Sequence, residues 1–138
     1  MDKNLQTIIK IKQDDMIKAF EKNNMQINFV DDFEQLHNYL SRYLCNKKTV
    51  ALGGSMTLFE TGVIEQIHNS DVILHDRYQE GLDREQMQEI YRKAFTSDLF
   101  ITSTNALTTD GCLYNIDGNG NRVAAMIYGP KEVIVIGG

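Results

Sequence analysis

The sequence predicts an α/β fold in which helices wind on both sides of a mainly parallel sheet. Apolar segments of strand length alternate along the chain with amphipathic segments of ten or more residues. Connections of that length suit crossover helices between parallel strands. Residues 99–101 and 133–136 are also continuously apolar, which is typical of strands covered on both faces. Together these patterns favour a doubly wound architecture.

The predicted elements follow one another in a regular order. Helical spacing of apolar residues predicts a helix at about residues 5–22, and alternation predicts a short strand at 26–30. Asp32 and Asp83 are suited to cap the helices that follow them. The remaining helices are predicted at residues 33–44, 55–67, 83–94 and 123–128, and the remaining strands at 48–52, 72–74, 98–102 and 131–136.

The chain length and the net charge limit the classes of protein to which the sequence can belong. The 138 residues fit a single domain, and the net charge of -5 with scattered basic residues gives no footprint for nucleic acid. No apolar run reaches the roughly 20 residues of a membrane span, and the N-terminus lacks a signal-peptide core. We therefore expect a cytoplasmic protein. Cys45 and Cys112 have no metal or disulfide spacing, and we expect both to be small buried hydrophobes.

A glycine turn after the strand at residues 48–52 is the first motif that could carry chemistry. Gly53, Gly54 and Ser55 lead into a helix, where free backbone N–H groups and a hydroxyl suit a phosphate or carboxylate. The alternative is structural, with Ser55 capping the helix and the glycines turning the chain. The turn matches neither the P-loop nor the dinucleotide fingerprint.

The second motif, residues 110–122, crowds acids, amides, glycines and one arginine between two apolar runs. It suits either a hairpin turn or a ligand-facing loop. Loops at the carboxyl ends of neighbouring parallel strands face one crevice, which would bring this motif towards Gly53. The candidate ligand-binding residues are Gly53, Gly54, Ser55, Thr57, Thr104, Asn105, Asn115, Asn119 and Arg122.

Three acids are candidate catalytic groups: Asp110, Asp117 and Glu60. Each also has a simpler interpretation, since Glu60 could face solvent and the two aspartates could lie in solvated turns. Arg122 could bind a ligand anion, or it could neutralise Asp117 or Asp110. No nucleophile, base and orienting group form a triad, so spacing alone does not establish catalysis.

Three segments together resemble the lactate-utilisation (LUD) domain family: GGSMTLFETG at residues 53–62, TSTNALTTDG at 102–111 and NIDGNGNRVAAMIYGP at 115–130. The resemblance covers most of the chain, in the right order. It implies a fold like that of the sugar-phosphate isomerase, CoA-transferase and formyltetrahydrofolate cyclo-ligase group. Family members normally continue through a further helix and, in several cases, a cysteine-bearing tail. We therefore expect a single domain over residues 1–138 that lacks those C-terminal parts.

The resemblance also implies a role in L-lactate utilisation, that is, oxidation of L-lactate to pyruvate beside iron-sulfur proteins. One hypothesis is an anionic small-molecule site between the 53–57 and 104–122 loops, enzymatic or not. The other is a non-catalytic subunit that docks iron-sulfur partners. A homo-oligomer is compatible with either, and the sequence identifies neither a cofactor nor a metal site.

Overall fold

A computed structural model describes residues 2–138. In chain order its elements are α1 (Lys3–Lys22), α2 (Phe33–Ser41), β1 (Lys48–Leu52), α3 (Met56–Glu60), α4 (Val63–His68), β2 (Val72–His75), α5 (Arg84–Ala94), β3 (Leu99–Ser103), β4 (Ala106–Leu107), β5 (Leu113–Tyr114), α6 (Asn121–Ile127) and β6 (Glu132–Ile136). Four of the strands form a parallel sheet in the order β2-β1-β3-β6. The predicted α/β class is confirmed.

The strand order places a topological switch between β1 and β3. From β1 the chain moves outwards to β2, then crosses back to β3 on the other side of β1 and continues to β6. β1 and β3 are direct neighbours, with Val50 opposite Leu99 and Leu52 opposite Ile101. In open α/β sheets the crevice at such a switch, beyond the carboxyl ends of the strands, is the usual ligand position.

Alternate side chains of the strands pack on the two faces of the sheet. Val50, Leu52, Leu99 and Ile101 belong to one buried cluster, which also contains apolar residues of α2, α3 and α4. Ala51 and Phe100 point the other way and pack with Ala94 of α5 and Ala125 of α6. Helices thus cover both faces, which explains why these strands are almost wholly apolar.

The chain divides into two compact units. Unit 1 comprises the chain up to Asp31 together with Thr104–Asn115, and unit 2 comprises Asp32–Ser103 and Ile116–Gly138. The parallel sheet lies in unit 2. Unit 1 contains α1 and the antiparallel β4–β5 pair, and Asn23 donates a 2.8 Å hydrogen bond from Nδ2 to the carbonyl of Gly111 between those strands.

Two predicted elements are wrong. Residues 26–30 form no strand, because this extended segment has no ladder partner among the described residues, and Phe29 and Val30 are left exposed. The single helix predicted at 55–67 is two helices, α3 and α4. They are separated at Gly62, whose φ of 73° is left-handed and ends a right-handed helix.

Burial differs from expectation at two further places. β6 is only partly covered over most of its length, because it lies at the edge of the sheet and pairs on one side with β3. The cysteines are not buried either, since Cys45 is partly exposed in the turns after α2 and Cys112 is exposed next to β5.

The other predicted helices and strands are confirmed, with ends that differ by a few residues. Within residues 2–138, every helix is too short or too polar to cross a bilayer.

The cap of α5 provides a test of local stability. The Asp83 side chain accepts a 2.8 Å hydrogen bond from the backbone N–H of Gln86, and the Gln86 side chain accepts one of 3.0 Å from the Asp83 N–H. We expect Asp83→Ala to lower the free energy of unfolding by about 1 kcal/mol, because it leaves a helix N–H without its partner. Urea unfolding measures the change. Asp83→Asn is the matched control and should stay near wild type; equal loss in both variants would contradict the capping role.

Candidate functional site

The loop after β1 approaches β3 so closely that only glycine fits at position 53. The Gly53 N–H donates a 2.9 Å hydrogen bond to the carbonyl of Ile101. A Cβ at this position would lie 2.1 Å from Oγ1 of Thr102 and 3.0 Å from Cδ of Arg122. Thr102 is fully buried, so its side chain has little room to move. The carboxyl end of β1 is therefore held against β3 by backbone contact.

Ser55 occupies the N-cap position of α3, but its side chain does not cap the helix. Its backbone is extended, with φ -162° and ψ 128°, and its side chain makes no hydrogen bond to the first turn of α3. Its backbone N–H instead donates a 3.2 Å hydrogen bond to the hydroxyl of Tyr78. Within residues 2–138 the buried Oγ of Ser55 has no hydrogen-bond partner. The capping alternative is therefore wrong, and a buried hydroxyl remains to be satisfied.

Arg77 joins this loop from the carboxyl end of the neighbouring strand, and the sequence analysis missed it. A Cβ added at Gly54 would lie 2.9 Å from Nη1 of Arg77, so the guanidinium packs directly on the glycine. Nη2 donates a 3.2 Å hydrogen bond to the hydroxyl of Tyr91. Ligands of open α/β sheets bind beyond the carboxyl ends of the strands, and the loop after β2 lies at such an end. Applied to that loop, the same reasoning would have identified Arg77 and Tyr78.

Arg122, by contrast, donates hydrogen bonds to backbone carbonyls around it. The side chain is buried, and Nη1 donates a 2.8 Å hydrogen bond to the carbonyl of Ser103. Nη2 donates a 3.1 Å hydrogen bond to the carbonyl of Ile116. These contacts tie the end of β3 to the segment before α6. A direct ligand contact by Arg122 stays a prediction.

Asp117 holds the start of α6. Its carboxylate accepts a 3.1 Å hydrogen bond from the backbone N–H of Val123. Burial, which by itself would raise the pKa of Asp117, is outweighed by backbone hydrogen bonds from Val123, Asn119 and Arg122 and by the charge of Arg122, so its pKa is lowered. The group is thus stabilised as a carboxylate. Its role as an acid or base stays a prediction.

The other candidates of unit 2 are less enclosed. Glu60 is exposed on α3, and Thr57 is partly buried, with its carbonyl accepting a 2.7 Å hydrogen bond from Oγ1 of Thr61. Asn119 lines a cleft of about 480 Å³ between α5 and the segment before α6. Its lining mixes polar and apolar side chains, and the other lining residues are Arg84, Met87, Gln88, Tyr91, Arg92, Phe95 and Asn121.

The remaining candidates lie in unit 1. Oγ1 of Thr104 donates to Oδ1 of Asn115 at 3.0 Å, and Asn105 is exposed in the bend just before β4. Asp110 accepts a hydrogen bond from Thr108 in the turn that joins β4 to β5. The hairpin interpretation is therefore confirmed for the part of the motif around Asp110. Any contact of these four residues with a ligand stays a prediction.

The close packing at position 53 predicts a marked effect of one added methyl group. We expect Gly53→Ala to lower the free energy of unfolding by about 1–3 kcal/mol, because its Cβ would overlap the buried Thr102 side chain. Gly118→Ala is the matched control, since a Cβ there meets open space and should change stability by less than about 0.5 kcal/mol. Chemical denaturation measures both, and a neutral Gly53→Ala would contradict the packing described.

The lowered pKa of Asp117 predicts a contribution to acid stability. A carboxyl group whose pKa is depressed on folding stabilises the protein above its unfolded-state pKa of about 3.9, and that stabilisation is lost as the pH falls through the lower folded-state value. We expect Asp117→Asn to be less stable than wild type at pH 7 and to lose less stability on acidification. Urea unfolding between pH 7 and pH 3 tests this. Equal acid sensitivity of the two proteins would refute it.

Comparison with known proteins supports the resemblance noted from the motifs. A family model for the LUD domain matches residues 14–138, nearly the whole chain. Searches of curated proteins and of solved structures find no match. The matched range includes the Gly53–Gly54–Ser55 loop, Arg77 and the residues around Arg122. The chain therefore belongs to the LUD domain family, which is associated with lactate utilisation.

Proposed function

We propose that the chain binds a small anionic molecule at the carboxyl ends of β1 and β2, as part of L-lactate utilisation. The observation that carries this proposal is the buried Ser55 Oγ, which has no partner within residues 2–138 and lies in a glycine loop at the topological switch of the sheet. An unsatisfied buried hydroxyl is unfavourable, and a ligand oxygen would satisfy it.

Gly54 suits this role because it is exposed and carries no side chain, so a ligand could approach the backbone of the loop there. Gly53 is fixed against β3 and holds the loop in place. The family association makes L-lactate and pyruvate the first ligands to test. Participation of Thr57, Asn119 and Arg122, and of Thr104, Asn105 and Asn115, belongs to the same proposal, as does acid–base chemistry by Asp110, Asp117 or Glu60.

A second candidate function is a docking subunit for iron-sulfur proteins, as the family resemblance implies. The favouring observation is the end of α6, where Ile127 is 78% and Tyr128 is 85% exposed. Large apolar side chains this exposed are common at protein interfaces. In this alternative the protein forms a complex without turning over a ligand, and self-association through the same residues would give a homo-oligomer.

Ligand binding should appear as a concentration-dependent rise in the thermal midpoint. A ligand that binds the native state alone stabilises it by about 2.7 kcal/mol at one hundred times its dissociation constant. We expect L-lactate or pyruvate to raise the midpoint of the wild type, and Ser55→Ala to weaken the affinity by about tenfold through loss of one hydrogen bond. Ser41→Ala, which removes an exposed hydroxyl of α2, is the control. Undiminished binding by Ser55→Ala would remove the main support for this site.

The docking alternative predicts a complex that depends on the end of α6. Co-expression with iron-sulfur proteins of a lactate-oxidising system, followed by affinity purification, should recover a partner with the wild type. Ile127→Ser with Tyr128→Ser should reduce recovery, because both apolar side chains are removed from the exposed surface. Leu107→Ser, which removes an exposed apolar side chain of β4, is the control. Recovery that is unchanged by the α6 substitutions would argue against docking through this surface.

A further inference from the structure

Arg77 carries a charge that unit 2 does not neutralise. No carboxylate of residues 2–138 forms an ion pair with Arg77, although the chain has 19 acidic residues and a net charge of -5. Its side chain is only partly exposed. A positive charge held partly out of water without an opposite charge beside it is unfavourable, and an anion placed there would offset that effect.

The guanidinium is also fixed in position before any ligand arrives. The rings of Tyr91 and Tyr78 have centroids 5.0 and 5.6 Å from its Cζ atom, and the Tyr91 hydroxyl accepts a hydrogen bond from Nη2. Gly54 supports it from a third direction, since any side chain at that position would collide with it. Such a preorganised donor loses little side-chain entropy when it binds.

Two hydroxyl groups next to Arg77 could complete the site. The Tyr78 oxygen accepts the N–H of Ser55, which leaves the phenol proton free to be donated, and it has no acceptor in residues 2–138. The Ser55 hydroxyl lacks a partner as well. Tyr78 is itself held by an edge-to-face contact with Phe59, with ring centroids 4.7 Å apart. Guanidinium and hydroxyl donors therefore converge on the same loop.

The single positive charge beside Gly54 favours a ligand with one negative charge. Arg77 is the cation that packs on the Gly54 backbone, whereas the guanidinium of Arg122 is directed at the carbonyls of Ser103 and Ile116. One planar guanidinium matches one carboxylate in a bidentate pair. A phosphate dianion would keep an uncompensated charge in a chain that is already acidic.

We infer that Arg77 binds the carboxylate of a small monocarboxylic acid, and that Tyr78 and Ser55 donate hydrogen bonds to an oxygen on the adjacent carbon. This inference rests on the proposed function and adds to it the residue that recognises the anion. L-Lactate and pyruvate, the ligands of the proposed function, carry such an oxygen as a 2-hydroxy and a 2-oxo group. Arg77 acts here as a binding residue, and no bond is made or broken by it.

Calorimetric titration with pyruvate tests the assignment, in parallel with its neutral methyl ester and with inorganic phosphate. For the wild type we expect pyruvate to bind at least about tenfold more tightly than the ester, which lacks the charge that pairs with Arg77. Binding of the ester as tightly as pyruvate would overturn the inference, as would tighter binding of phosphate. These comparisons use the unaltered protein, so they do not depend on the folding of any variant.

Variants of Arg77 and Gly54 provide a second test of the inference. Arg77→Gln should weaken pyruvate binding by about tenfold or more, and Arg77→Lys by less, because lysine keeps the charge but not the bidentate geometry. Gly54→Ala should also weaken it, since the new methyl group displaces the guanidinium without removing it. Arg42→Gln, which removes an exposed arginine after α2 whose guanidinium lies over the Tyr39 ring, is the matched control and should bind as wild type.

The outcomes separate this inference from the proposed function. If wild type binds pyruvate and both Arg77→Gln and Gly54→Ala bind it equally well, Arg77 is not the carboxylate partner, while the proposed anion site stands. If the wild type binds neither pyruvate nor L-lactate in the millimolar range, the proposed function fails and the inference fails with it. Weakened binding in both variants, with Arg42→Gln unchanged, supports the inference.

Discussion

The contact between the backbone of Gly53 and the side chain of Thr102 determines the geometry of unit 2. It brings the carboxyl ends of β1 and β3 together without an intervening side chain, and the 2.9 Å hydrogen bond from Gly53 to Ile101 continues the strand pairing beyond the end of β1. Thr102 is fully buried, so the contact cannot relax by moving it outwards. The next residues, Gly54 and Ser55, leave the sheet from this fixed point.

Two arginines use this arrangement in different ways. Arg122 passes beside Gly53 and donates its guanidinium hydrogen bonds to the carbonyls of Ser103 and Ile116, which fixes the connection between β3 and α6. Arg77 reaches the same loop from the opposite side, where aromatic rings and one hydroxyl hold it and no acid among residues 2–138 forms an ion pair with it. The two guanidinium groups therefore differ in their partners, and the proposed ligand contact belongs to Arg77.

Local sequence signals predicted most of the fold, because they act over a few residues. Asp83 forms the expected capping interaction with Gln86, and the apolar segment at 99–101 is a fully covered central strand. Gly62 was overlooked because an amphipathic pattern continues through it, although its left-handed backbone separates two helices. The alternation at residues 26–30 failed for a different reason, since a strand also requires a partner and sequence alternation does not supply one.

The site was predicted only in part, because its contacts depend on strand order. The glycine loop has a local signature, and so Gly53, Gly54 and Ser55 could be identified directly. The proximity of Arg77 to Gly54 follows from the pairing of β2 with β1, which no local pattern reveals. Arg122 stood out in the sequence, but the sequence did not reveal that two of its nitrogens donate to the carbonyls of Ser103 and Ile116, and its contact with a ligand stays a prediction.

We propose that the loop at the end of β1 and the guanidinium of Arg77 bind a small carboxylate. Titration of isotope-labelled protein with pyruvate, followed by nuclear magnetic resonance, tests this binding most directly, because each backbone amide and the Nε–H of each arginine give a separate signal. We expect the largest saturating shifts on the amides of Gly53, Gly54 and Ser55 and on the Nε–H of Arg77. Saturating shifts confined to other parts of the chain, or none at all, would contradict it.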